Sequence, residues 1–326
     1  MHITILGGAG FLGRKLAARL TAEGALGGRP VSSLTLFDLA APPPPAGAPF
    51  PVHSLTGDLS ELPAAAIPPG TAVVFHLAAV VSAAAEADYA LGRRVNVRGT
   101  DAVIDACGRL AEPPRVVFTS SVASFSGGQG AVLADDARQV PANSYGAQKA
   151  AAELFLADAS RRGMLDAVLI RLPTVVVRPG RPNKAASSFV SGILREPLLG
   201  LPAALPVPDD FAVWICSPRR AVDWLLHAAA MDTGPMGLDR GVNPPGLSAT
   251  VGQMLAALDS VRPGASALVE RRPDPAVAVI VGGWPAAFNP VRAPALGFAA
   301  HESLAELVQA FVDDDLEDTH RERNAG

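Results

Sequence analysis

His2-Ile3-Thr4-Ile5-Leu6-Gly7-Gly8-Ala9-Gly10-Phe11-Leu12-Gly13 opens the chain and decides how it folds. Residues 2–6 are a short apolar run with β-branched Ile3 and Ile5, and from Phe11 to Leu20 apolar residues recur at helical spacing. Glycines lie between the two, so the stretch reads as strand, tight turn, helix. Gly7, Gly10 and Gly13 stand three residues apart, where backbone can approach a pyrophosphate and a helix N-terminus favours its charge. A glycine-rich turn selected for packing alone has the same spacing, so the rest of the chain must discriminate.

Working outward, further strand-like runs occupy residues 34–37, 72–77, 115–119 and 167–172, separated by helical patterns such as 95–110 and 145–162. Alternating strands and helices predict an α/β fold, a Rossmann-type doubly wound parallel sheet. Residues 40–51, with four consecutive prolines at 42–45, read as a surface loop. After Leu172, prolines at 173, 179, 182, 197, 202, 206 and 208 break the pattern into short pieces, as in a smaller, mostly C-terminal, substrate-binding cap domain. The expected division is a nucleotide-binding domain over 1–177, a return of the chain to it at about 213–242, and a cap over 178–326. Residues 313–326 are charged and almost free of apolar side chains; they are expected to form a mobile tail.

The 326 residues suffice for one large or two small cores. Hydrophobic residues make up 49% against 18% charged and 5% aromatic, so the core must rest on Ala, Val and Leu, and most of the chain cannot be disordered. A net charge of -4 without a basic stripe makes nucleic acid an unexpected partner. Cys107 and Cys216, the two cysteines, make neither a disulfide framework nor a zinc site and read as buried apolar residues in a reducing compartment; no metal is expected. The apolar stretch 72–85 is interrupted by His76 and Ser82 and falls short of the roughly 18 residues of a membrane span. With no basic leader before the first apolar run, the chain is expected to be cytoplasmic.

Asp38 closes the second strand and can accept hydrogen bonds from adenosine ribose hydroxyls, while Leu39 and Ala40 offer no cation to a 2′-phosphate; this favours NAD over NADP. An ordinary turn aspartate would look the same. Asp58, after Gly57, can reach the adenine edge or simply close a turn. Tyr145 and Lys149 lie four apart at a helix start, so both side chains emerge on one face. A free tyrosine titrates near pH 10, and service as a base near neutrality requires roughly 4 kcal/mol of differential stabilisation. The Lys149 ammonium and an oxidised nicotinamide would both favour phenolate, although Lys149 could equally be a solvated helix lysine. Ser121, at the C-terminal end of the 115–119 strand, can hold a substrate oxygen or cap the turn that follows.

Gly7 to Gly13, Asp58-Leu59, His76-Leu77-Ala78-Ala79, Val95-Asn96-Val97-Arg98-Gly99-Thr100, Phe118-Thr119-Ser120-Ser121 and Tyr145-Gly146-Ala147-Gln148-Lys149 appear in this order. Together they resemble the extended short-chain dehydrogenase/reductase family. The resemblance implies NAD held by Gly7, Gly10, Phe11 and Leu12 at the pyrophosphate. It implies Leu59, Leu77, Ala78, Ala79 and Pro173 along the cofactor, Asn96 on its nicotinamide side and Lys149 on the nicotinamide ribose. Tyr145 is implied as the catalytic acid/base, with Ser121 as its partner. In the second half, Arg171-Leu172-Pro173-Thr174-Val175-Val176-Val177-Arg178-Pro179-Gly180, Pro182-Asn183, Ser187-Ser188-Phe189, Arg195-Glu196-Pro197-Leu198 and Gly283-Trp284-Pro285 resemble the D-erythronate dehydrogenase subgroup.

That likeness implies an NAD-dependent oxidoreductase acting on CH–OH groups, oxidising the 2-hydroxyl of a small sugar acid to a 2-oxo acid. The acid's carboxylate needs a cation or a cluster of donors. Arg178, Asn183, Ser187 and Ser188 are the candidates, with Ser82 and Thr174 also beside the substrate; Arg178 and Ser187 could instead tie the cap to the sheet. Nucleotide-sugar epimerases share this pattern, as would a uronate dehydrogenase or a non-enzymatic NAD sensor. Dehydratases carry an acidic residue after the catalytic hydroxyl, where this chain has Val122. The resemblance also implies pairing of two copies through the helices holding Asn96 and Tyr145, with Ala147, Ala150, Ala151 and Leu154 as a small-residue face; internal packing would explain those alanines equally well.

Overall fold

The computed structural model describes residues 1–128, 130, 132–180, 188–300 and 303–324. Its main sheet takes strands β1 (His2–Leu6), β2 (Ser33–Asp38), β3 (Val52–Thr56), β4 (Thr71–His76), β5 (Arg115–Ser121) and β6 (Asp166–Leu172). A smaller sheet uses β7 (Thr174–Val175), β8 (Ala212–Cys216) and β10 (Leu247–Thr250), and between the last two the chain lays β9 (Gly241–Val242) beside β6. The seven-stranded order is β9-β6-β5-β4-β1-β2-β3, every pair parallel. The order reverses between β1 and β4, and such a reversal opens a crevice at the carboxyl ends of the strands.

Strand alternation explains why this sheet is covered on both faces. Ile3 and Ile5 of β1, Leu34 and Leu36 of β2 and Val168 and Ile170 of β6 are buried on one side, against Leu16 and Leu20 of α1 (Phe11–Glu23) and Trp224 and Leu225 of α5 (Pro218–Ala230). Leu6, Phe37, Ala167 and Leu169, one residue out of phase, face the other side and meet Val103 and Cys107 of α2 (Gly99–Gly108) and Ala152 and Leu156 of α3 (Ser144–Arg161). Each fully buried Leu, Ile or Val contributes about 2 kcal/mol, so neither face can be left open. A third core gathers Val190 and Ile193 of α4 (Ser188–Leu198), Val213 and Ile215 of β8, Met254 and Leu258 of α6 (Val251–Val261), and Leu307 and Phe311 of α7 (Leu304–Asp314). Both cysteines are free and buried.

Two expectations need correction. The segment after Leu172 is not wholly broken by its prolines: α4 runs 11 residues with Pro197 in its last turn, where only one internal hydrogen bond is lost. The tail is helical over α7 and α8 (Leu316–Asn324), with Thr319 fully buried. Glu317 and Asp318 sit in the first turn of α8, and Arg321 and Arg323 flank Glu322 in the last, a distribution that on balance complements the helix dipole. Asn183 and Ser187 lie outside the described residues.

Candidate active site

The crevice begins where Gly7 ends β1. Gly7 has φ of 95°, and a Cβ there would stand 2.7 Å from the Ala78 nitrogen; the turn can therefore lie directly against the end of β4. The N–H groups of Leu77 and Ala78 donate to the Leu6 carbonyl at 2.8 and 2.9 Å, which holds this close approach. The result is a groove walled by Gly7, Gly10, Phe11 and Leu12 on one side and Leu77, Ala78 and Ala79 on the other. A cradle that a side chain would fill, at the N-terminus of α1, suits a dinucleotide pyrophosphate.

At the far end of the groove Asp38 accepts from Ala9 N at 2.9 Å and from Leu39 N at 2.7 Å, so its carboxylate is fixed facing the glycine turn. Asp58 caps the next short helix, accepting from Ser60 N at 2.8 Å and Ser60 Oγ at 2.7 Å, while Arg94 Nε stands 3.7 Å from it. The Ser60 donors, then Arg94, hold the Asp58 carboxyl below its usual range. Asp58 is thus both a turn cap and part of the groove wall, and Leu59 beside it packs against Gly99 of α2. Arg94 is a cation at this end that sequence reading missed, because only the fold brings it to Asp58.

Asn96 does not enter the groove. Its Oδ1 accepts from Val80 N at 2.8 Å, and its Nδ2 donates to Val80 O at 2.9 Å and Gln148 Oε1 at 2.7 Å. It clamps the 77–81 wall from behind and ties it to α3. Behind it, buried His76 shares Thr100 Oγ1 at 3.0 Å, while that hydroxyl donates to Asn96 O at 2.8 Å. The hydroxyl proton being spent, His76 Nε2 must carry the hydrogen; burial and the Lys149 charge push its pKa to about 3, keeping it neutral.

The groove continues into a cavity of about 270 Å³ lined by Ser121, Tyr145, Lys149, Pro173, Thr174, Arg178 and Ser82, with Trp284 closing one side. Two elements meet there. Ser121 ends β5, and its Oγ accepts from Ala123 N at 3.1 Å, so the turn-cap role holds alongside the site role. Asn143 caps α3 through Gly146 N at 2.8 Å. A Cβ on Gly146 would overlap the Ala123 carbonyl, so glycine lets α3 start against the turn after Ser121. That contact brings Tyr145 and Ser121 onto the same cavity.

The electrostatics differ from expectation in one respect. Burial pushes Tyr145 up to about 12, and the groups that oppose it are the Ser121 hydroxyl and the Arg178 charge. Lys149 Nζ lies 5.7 Å from the Tyr145 ring centre, donates to Thr119 O at 2.8 Å and sits 4.4 Å over the Phe118 ring. Burial lowers its pKa to about 7, opposed by the Glu153 carboxylate. Glu153 in turn takes the Ser120 hydroxyl, Gln139 Nε2 at 2.9 Å and Arg171 Nη2 at 2.9 Å. The Arg178 charge, which the sequence did not single out for this task, favours phenolate in this arrangement. A phenol, a serine beside it, a cation lining the same cavity and a nucleotide groove behind make a site for removing hydrogen from a small polar substrate.

Comparison with known proteins agrees. The model of the NAD dependent epimerase/dehydratase family matches residues 3–214. D-erythronate dehydrogenase of Cupriavidus necator is 48% identical over 322 residues, covering 96% of this chain and 98% of its own. D-erythronate dehydrogenase of Haemophilus influenzae is 37% identical over 325 residues, covering 97% and 100%. The crystal structure of a nucleoside-diphosphate-sugar epimerase from Agrobacterium tumefaciens superposes with a TM-score of 0.91 at 44% identity, covering 97% of this chain and 95% of that one. The chain therefore belongs to the NAD-dependent epimerase/dehydratase family.

Proposed function

We propose that this chain oxidises the 2-hydroxyl of D-erythronate to the 2-oxo acid, with NAD as oxidant. The observation that carries the reading is the convergence of Ser121, Tyr145 and Arg178 on one cavity of about 270 Å³, joined to near full-length similarity to two D-erythronate dehydrogenases. Bound NAD supplies a hydride acceptor at the nicotinamide ring. Tyr145 takes the hydroxyl proton, Ser121 orients the reacting oxygen, and Lys149 holds the ribose hydroxyls. Arg178 receives the carboxylate, with Thr174 and Ser82 as further polar contacts, and its charge also favours the Tyr145 phenolate. Gly7, Gly10, Phe11 and Leu12 take the pyrophosphate, Asp38 the adenosine ribose, and Asp58 and Leu59 the adenine end. Leu77 to Ala79 and Pro173 flank the rest of the cofactor.

The test is NADH formation on addition of D-erythronate, with related aldonic and uronic acids as a panel. Tyr145→Phe should abolish turnover while NAD still binds; continued reduction at the unmodified rate would remove Tyr145 from the chemistry. A second reading, nucleotide-sugar epimerisation, is favoured by the similarity to the Agrobacterium epimerase. An epimerase returns its hydride, so net NADH accumulation separates the two.

The division into a nucleotide-binding part at 1–177 with its return at 213–242 and a cap at 178–326 is part of the same reading; Val222, Trp224 and Val242 in the nucleotide-side core support the return, while Val176, Val177, Val213 and Ile215 pack in the cap core and Ala293 and Phe298 in the nucleotide-side core. So is a homodimer through α3, where Leu154 and Phe155 are 71% and 47% exposed; Leu154→Glu should convert it to monomer in sedimentation. Among the described residues no helix is long and apolar enough to cross a membrane; a cytoplasmic location is part of the same reading.

A further inference from the structure

Charged side chains are seldom buried without a partner or a task. On α4, Arg195 is 2% exposed and Glu196 6%. Arg195 Nε and Nη2 both donate to Glu196 Oε1, at 2.9 and 2.7 Å, which leaves Nη1 to donate to the Arg178 carbonyl at 2.7 Å. The Arg178 N–H donates to Ser191 Oγ, one turn earlier on α4, at 3.1 Å. Both backbone groups of Arg178 are thus held by side chains of α4. Where its guanidinium enters the cavity depends on those side chains.

The chain of contacts extends further. Arg323, on the last turn of α8, lies 2.6 Å from Glu196 Oε2 through Nη1, and its Nη2 donates to Oε1 at 2.8 Å and to Gly180 O at 3.4 Å. A bidentate fork of this kind fixes direction as well as charge. With its carboxylate gripped from the C-terminus, Glu196 orients Arg195, and Arg195 holds the backbone of the cavity cation. The cluster carries two guanidinium groups against one carboxylate, and the Arg195 charge, after burial, helps to lower the Arg178 pKa.

We propose that Arg323, Glu196 and Arg195 are positioning residues for Arg178, so that the C-terminal helix sets the affinity for the acid substrate without touching it. The inference rests on the reading of Arg178 as the carboxylate receptor. A displacement of about 1 Å can cost up to a hundredfold in a reaction that depends on placement. In the intact enzyme, Arg323→Ala should therefore raise the KM for D-erythronate roughly ten- to hundredfold and leave the KM for NAD within about twofold. Arg323→Lys, whose ammonium cannot grip both carboxylate oxygens in a fork, should recover part of the loss. If Arg323→Ala does not yield folded protein, Arg323→Lys carries the same test with a smaller rise.

The discriminating measurement is a cycle with Arg178→Ala. On that background Arg323→Ala should add nothing to the KM for the acid, because the group it positions is gone. Equal effects of Arg323→Ala in the two backgrounds, or a loss of melting temperature with both KM values unchanged, would overturn the positioning role and leave the Arg178 assignment standing. An unchanged KM in Arg178→Ala itself would instead sink the carboxylate-receptor reading and the inference with it.

Discussion

Lys149→Met separates the cost of a functional group from its use. The ammonium is 2% exposed, donates to a single carbonyl and has its pKa lowered by burial from 10.5 to about 7. In the unfolded chain the lysine keeps its proton to the ordinary value. Between these two values the unfolded chain binds more protons than the folded one, so the stability of the unmodified protein rises with pH, at most by about 1.4 kcal/mol per pH unit from this group. Over the whole interval the penalty at low pH amounts to about 5 kcal/mol. Methionine fills a similar volume and carries no charge. The assay is urea denaturation of both proteins without cofactor from about pH 6 to about pH 9, below the titration of Tyr145. The stability advantage of Lys149→Met should be largest at the acid end and shrink by about 2 kcal/mol or more across that range. Groups common to both proteins cancel in the difference. A difference that is flat, or that grows with pH, would refute the reasoning. Turnover should be lost at every pH.

Three further outcomes follow from the site's geometry. Gly146→Ala pushes the start of α3 off the Ala123 carbonyl and should lower kcat by roughly a hundredfold with little change in the KM for NAD, as steady-state kinetics would show. Asp38→Asn removes the charge that faces the glycine turn; the preference for NAD over NADP, measured as the ratio of kcat/KM, should fall by roughly tenfold. Trp284→Ala opens the side of the cavity that the indole closes, and five- and six-carbon acids in the substrate panel should gain relative to the four-carbon acid.

What is legible in the sequence is what depends on near neighbours. The alternation that buries Ile3 and Ile5 on one face and Leu6 on the other is written within one strand, and the four-residue step from Tyr145 to Lys149 within one helix. The site's remaining parts are pairings across long separations. Asn96 reaches Val80 and Gln148, Arg171 reaches Glu153, and Trp284 arrives from the far end of the chain; no local pattern announces any of them. Average composition also misleads over 313–326, because these residues form a helix in which Thr319 is buried and Arg323 finds a buried carboxylate. That the Arg178 charge also acts on the Tyr145 phenol could be read only from the fold.

The two-residue strand β9 has a consequence for how the protein can be divided and made. It closes the edge of β6, and in the same stretch of chain α5 and the turn after it take the Arg115 guanidinium, which donates to Ala228 O at 2.6 Å and Met231 O at 3.1 Å. A gene fragment ending near residue 177 would carry the glycine turn, Ser121, Tyr145 and Lys149 and still expose a β6 edge and an apolar sheet face, which is a template for aggregation. Nor can a nascent chain seal its nucleotide half until residue 242 has left the ribosome, after much of the intervening cap has already emerged.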